Sequence, residues 1–204
     1  MKNLICRMYF TECCVDVNKT GNKNVDRVNR ILNHKLYLEY IKKIKIFEQD
    51  RTFCKHDTVH FLDVCRLAEI DWLNQRIQKI EEDYELAAEH DITNTELMQL
   101  EREYIYAAGL LHDIGRWQEY ESGVRHEKAS AVLAPEILRD CGFLEEEVQN
   151  IIYAILNHRN CEIADELSLA GMIYRADKKS RPCYFCEAQK ECDWSAAKKN
   201  LKIK

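Results

Sequence analysis

The sequence predicts an all-α protein, and three observations carry that expectation. Only six glycines and two prolines punctuate 204 residues. Long stretches between them repeat apolar residues at three- and four-residue steps, the period of a helix with one buried face. Charged residues make up 32% of the chain and fill the opposite faces of those stretches. A chain of this length suits one domain and is long enough to bury a sizeable core.

Taken in order, residues 1–24 read as an N-terminal appendage, disordered or with a short strand on the weak alternation of Ile5, Arg7, Tyr9 and Thr11. Residues 25–204 read as a helical domain of about six or seven helices. The first spans about Val25 to Glu48, with Val28, Ile31, Leu32, Leu36, Leu38, Ile41 and Ile44 on one face. The second runs from about Thr58 to His90, its second half dominated by charge. The third, about Thr95 to Ile114, repeats Leu97, Leu100, Tyr104, Ala108 and Leu111, with Asn94 as cap and Gly115 as stop. His112 and Asp113 thereby fall in its last turn. Residues 116–125 read as a loop. The fourth helix covers about His126 to Cys141, with Ala129, Val132, Leu133 and Ile137 inward, Gly142 as its stop, and Pro135 implying a kink or break. The fifth, about Glu145 to His158, has an acidic first turn that suits the helix dipole. The sixth spans about Asp165 to Ser180, and a short seventh about Cys186 to Lys199.

Composition excludes several function classes. A net charge of −5 argues against nonspecific nucleic-acid binding, which uses a basic footprint. No apolar run approaches the roughly 18 residues of a membrane span. The start of the chain has no signal-peptide pattern, so a cytoplasmic location is expected, with the ten cysteines mostly reduced.

The ionisable residues at the ends of apolar faces suggest chemistry. His60 opens the second helix on the face of Val64 and Leu67. His112 and Asp113 close the third, His126 opens the fourth, His158 closes the fifth on the face of Ile151 and Ile155, and Asp177 follows Ile173 and Ala176. One histidine in such a place is ordinarily a satisfied core residue. Four imidazoles and two carboxylates together suit Fe, Mn, Co, Ni or Zn better than Cu(I) or Ca²⁺. Six protein ligands are too many for one catalytic ion with open positions, and fit two ions sharing a carboxylate.

The ordered set resembles the HD-domain superfamily of metal-dependent phosphohydrolases in its two-metal form. His60-Phe-Leu-Asp-Val64 resembles the first-ligand helix, Leu110-Leu-His-Asp-Ile-Gly115 the defining motif, and Val124-Arg-His-Glu-Lys-Ala-Ser130 the third-histidine segment. Ile155-Leu-Asn-His-Arg159 resembles the fourth, and Arg175-Ala-Asp-Lys-Lys-Ser180 the closing aspartate motif. The resemblance extends over about Val25 to Lys199, to a bacterial branch of uncharacterised members with a cysteine-bearing end. It implies one HD-type bundle with two divalent transition-metal ions, one held by His60, His112, Asp113 and Asp177, the other by Asp113, His126 and His158. It further implies attack on phosphorus by a hydroxide bridging the ions. The substrate would be a phosphorylated small molecule such as a nucleotide. Lys178 is the first choice for holding phosphate, with Arg51, Arg116, Arg125 and Arg181 behind it. His56, four residues before His60, matches the proton donor of some superfamily members. A homodimer is also consistent with the superfamily. Two other functions stay open: a mixed-valent di-iron oxygenase on the same ligands, and a non-enzymatic metal- or nucleotide-sensing module.

Cys183-x-x-Cys186 followed by Cys192 is the other dense cluster. It reads either as a clip for structural zinc or an iron–sulfur cluster, its fourth ligand from Cys161, Cys141 or the N-terminal segment, or as thiols packed around Trp194.

Overall fold

The computed structural model describes residues 26–82 and 95–202. The appendage expected at 1–24, the Asn94 cap and the far end of the second helix lie outside them. Among the described residues the structure is all-α, with no strand. The helices are α1 (Asp26–Asn33), α2 (Lys35–Phe47), α3 (Thr58–Glu82), α4 (Thr95–Leu111), α5 (Arg116–Ser122), α6 (His126–Asp140), α7 (Glu145–Asn157) and α8 (Leu169–Lys179). None is long and apolar enough to cross a membrane.

Helix α4 is the axle of the bundle, touching α1, α3, α6, α7 and α8. Its Ile105, Ala107, Ala108, Leu110 and Leu111 are fully buried, against Phe61 and Val64 of α3, Ile151 and Ile155 of α7, and Ile173 of α8. Removing each of the larger of these side chains from water contributes about 1.5–3 kcal/mol. The inward faces therefore set which helix ends meet.

The structure departs from the sequence pattern at five places. The first predicted helix is two helices, because His34 takes an extended backbone and its Nδ1 caps α2 by accepting from the Leu36 N–H. Helix α4 stops at Leu111, and His112 to Gly115 form a turn. Residues 116–122, expected as loop, are helix α5. A seven-residue helix has little stability of its own, and this one is fastened by buried Trp117, stacked on Tyr40 at 6.0 Å with the Lys43 ammonium above its ring. Helix α6 runs through Pro135 without a break, held by buried Ala134, Ile137 and Leu138, while Val132 faces solvent. Gly142 does end it, at a φ of +92° that disfavours other residues. The helix expected at 186–199 is absent. That stretch is a chain of turns, in which only Cys183 and Ala188 of residues 182–202 are buried apolar side chains. Without an apolar stripe to bury, helical periodicity there has nothing to pack against.

Candidate metal centre

The turn after α4 is pinned by its glycine. A Cβ on Gly115 would lie 2.4 Å from the Ser130 backbone nitrogen and 2.6 Å from the Ala129 Cβ, so only glycine lets the turn lie on α6. The Gly115 N–H also donates to the Ser130 hydroxyl at 2.9 Å. His112 and Asp113 are thereby fixed facing the first turns of α3 and α6 and the last turns of α7 and α8.

All six side chains of the predicted set converge, and all are buried. They form two groups. His60, His112 and Asp177 offer ligand atoms within 4.8 Å of one another, as do Asp113, His126 and His158. Asp113 divides its oxygens between the groups. Its Oδ2 lies 3.8 Å from His60 Nε2 and 3.5 Å from His112 Nε2, while its Oδ1 lies 3.2 Å from His126 Nε2 and 3.5 Å from His158 Nε2. This is the posture of a bridging carboxylate.

Each imidazole is aimed by its other nitrogen. His112 Nδ1 donates to the Gly109 carbonyl at 2.7 Å, and His158 Nδ1 to the Ile155 carbonyl at 2.6 Å. His60 Nδ1 meets the Ser180 hydroxyl at 3.2 Å, and His126 Nδ1 lies 2.6 Å from both a Glu119 oxygen, to which it donates, and the Arg116 guanidinium. Hydrogen bonds at Nδ1 leave Nε2 as a lone pair pointing inward, the arrangement of metal-ligating histidines. Burial supports the neutral form, pushing His112 down to about 3 and lowering His126 as well.

The donor set fits cations on an observation of the structure itself. His60 Nε2, His112 Nε2 and Asp113 Oδ1 are buried without a hydrogen-bond partner among the described residues. His126 Nε2 and His158 Nε2 face each other at 3.3 Å. Buried lone pairs gathered round a carboxylate are costly unless a cation satisfies them. Neutral imidazole with carboxylate suits divalent transition metals. Asp177 is already balanced: Lys178 Nζ donates to its Oδ2 at 2.5 Å and Arg181 to its Oδ1 at 2.7 Å. Burial alone would raise its pKa, but those two cations hold it well below the carboxylate range.

The centre opens into a cleft of about 190 Å³. Among the candidates for holding phosphate, Lys178, Arg51, Arg116 and Arg181 line it, and Arg125 does not. Arg125 is exposed and pairs with Glu127. His56 faces the cleft, its Nε2 3.6 Å from Asp113 and 3.3 Å from Arg181. Burial pushes it down to about 4. Three participants had no signal in the sequence. Glu48 is buried at the end of α2 and accepts from His56 Nδ1 at 2.5 Å, from the His56 backbone N–H at 2.6 Å and from the Tyr120 hydroxyl at 2.5 Å. Arg159 and Lys199 also line the cleft. So do Cys183, Cys186 and Cys192, joined by Cys54 rather than by Cys141 or Cys161.

Comparison with known proteins agrees with this geometry. Residues 73–181 match the HD domain family, and the chain belongs to it. His60 lies before the matched stretch, yet the fold sets it in the same constellation. Membership places the chain in a superfamily of metal-dependent phosphohydrolases. The chain is also 39% identical over 179 residues to an uncharacterized protein of Clostridium beijerinckii (strain ATCC 51743 / NCIMB 8052), covering 88% of this chain and 99% of that one. No solved structure matches.

Proposed function

We propose that this protein hydrolyses a phosphate ester or anhydride of a nucleotide or related small molecule. The observation that carries this reading is Asp113, one carboxylate divided between two groups of inward-facing Nε2 atoms. Two divalent ions held by His60, His112, Asp113 and Asp177 on one side and Asp113, His126 and His158 on the other would supply Lewis acidity toward phosphorus and a water of lowered pKa.

The chain's own residues do the rest. Lys178, Arg116 and Arg181 present positive charge beside the centre, and Arg51, Arg159 and Lys199 extend it along the cleft. A cleft lined by six cations in a protein of net charge −5 is suited to an anionic ligand. Phe53 and Trp194 line the same cleft and offer apolar faces for a planar group such as a base. His56, once it has taken up a proton at Nε2, would pass that proton to the leaving oxygen, with Glu48 accepting from Nδ1 behind the ring. A water-poor cavity strengthens each of these interactions.

The test is metal analysis of the purified protein together with turnover of p-nitrophenyl phosphate, bis-p-nitrophenyl phosphate and a nucleotide panel, with Mn, Fe(II), Co and Ni. About two ions per chain and hydrolysis are expected. Iron with oxygen uptake and no phosphatase activity under any metal would overturn the reading, as would tight nucleotide binding without turnover.

A further inference from the structure

We infer that Cys54, Cys183, Cys186 and Cys192 form a second inorganic site, a four-thiolate mount for an iron–sulfur cluster on the wall of the cleft. Two segments far apart in sequence bring these thiols to one cavity: the stretch between α2 and α3, and the turns after α8. None is in a disulfide. The buried Cys65 thiol donates to the Tyr106 carbonyl, whereas no hydrogen bond engages these four sulfurs among the described residues.

Their backbones are anchored instead. Arg51 donates to the Cys54 carbonyl at 2.9 Å, Gln189 to the Cys183 carbonyl at 2.8 Å, and Lys199 to the Cys192 carbonyl at 2.9 Å. The frame is tied and the sulfurs are left over. A second observation points the same way. Residues 182–202 bury only Cys183 and Ala188 as apolar side chains, and Phe185 is 86% exposed. Irregular chain with so little core is the kind that an inorganic staple organises.

These sulfurs are not gathered as closely as a single tetrahedral ion would hold them. Zinc holds sulfur at about 2.3 Å, which sets neighbouring sulfurs of a tetrahedral site roughly 3.8 Å apart. Among the described residues no three of these sulfurs lie within 4.8 Å of one another. A cluster binds its thiolates on different irons and spreads them further than one ion does. Mounting releases the four thiol protons and transfers no electrons. The resulting negative charge faces Arg51 and Arg181 on the same cleft.

The inference stands apart from the hydrolase reading, and its readout is not turnover. The full chain, purified without oxygen or reconstituted anaerobically with equal amounts of ferrous and ferric iron and with sulfide, which together make a four-iron, four-sulfide cluster in its 2+ state without net electron transfer, is assayed for iron, acid-labile sulfide and visible absorption. Equal iron and sulfide are expected beyond any metal at the histidine–aspartate centre. His112→Ala and Cys161→Ser should keep the sulfide, and Cys186→Ser and Cys192→Ser should lose it at least tenfold. A wild-type protein with no labile sulfide after reconstitution overturns the proposal, whether or not the variants fold. Zinc held on the thiols, free of sulfide, overturns it too.

Discussion

The floor and the wall of the cleft are built on opposite principles. The floor is made of helix ends: His60 starts α3, His126 starts α6, His158 caps α7 and Asp177 closes α8. Each is placed by an apolar face packed at full density behind it. The wall formed by residues 182–202 has almost no apolar backing and is tied by side chains to backbone carbonyls. Asn200 alone donates to the carbonyls of Lys178, Lys179 and Arg181. Precision at the floor comes from dispersion and burial summed over many atoms. On the wall it comes from a few hydrogen bonds, each contributing about 1 kcal/mol net. Positions that carry chemistry sit on the first kind of support, and positions that shape access sit on the second.

That contrast breaks if floor substitutions turn out mild. The largest effect is expected from Asp113→Ala, which removes the shared ligand: both ions should be lost and kcat should fall roughly a thousandfold or more, read by metal analysis and steady-state kinetics. Next is Gly115→Val. Its side chain would meet the α6 backbone, so stability should drop by about 1–3 kcal/mol or more, measured by urea unfolding, with activity falling further than the loss of folded protein explains. Glu48→Gln keeps the shape but weakens the hold on His56. A kcat lower by roughly tenfold to a hundredfold with KM nearly unchanged is expected, as for other carboxylates that orient imidazoles. Equal loss in KM would mean that Glu48 serves only to support the cleft.

The wall should respond differently. Lys199→Ala removes ties to the Gln189 and Cys192 carbonyls, and KM should rise a few fold with kcat kept, since a positioning contact of about 1 kcal/mol is lost. Limited proteolysis should cut the variant sooner after residue 180. Smallest of all is Arg125→Ala, a surface cation paired with Glu127. Stability should fall by about 1 kcal/mol, because buried Glu127 loses a partner, and kinetics should be unchanged. A large effect there would extend the cleft beyond its described lining.

The same division decides what was legible beforehand. A ligand at a helix end has to follow or precede an apolar stripe, so His112-Asp113 after Leu110-Leu111 and His158 after Ile155 carry their position in the local pattern. Glu48 follows Ile44 by four residues, in register with the buried face of α2, but nothing local shows that His56 and Tyr120 return to give the carboxylate its partners. Helix α5 was illegible because its stability lies in Trp117 meeting Tyr40 from another helix. The wall lacks the helix its sequence predicts, because Lys199 and Asn200 act through backbone carbonyls, a bond with no sequence period. Cys54 is invisible beside the other thiols until the fold closes more than a hundred residues of chain.

The order in which the ligands occur has a consequence for assembly. They span His60 to Asp177 and come from α3, the turn after α4, α6, α7 and α8. The second group, Asp113, His126 and His158, lies within residues 113–158, whereas the first needs both His60 and Asp177 and is complete only once α8 has been made. Full loading therefore waits for α8, and it registers that α3, α4, α6, α7 and α8 have docked. Ions that bind only the native state stabilise it by mass action. Scarcity of metal should thus shorten the lifetime of the folded molecule as well as silence it.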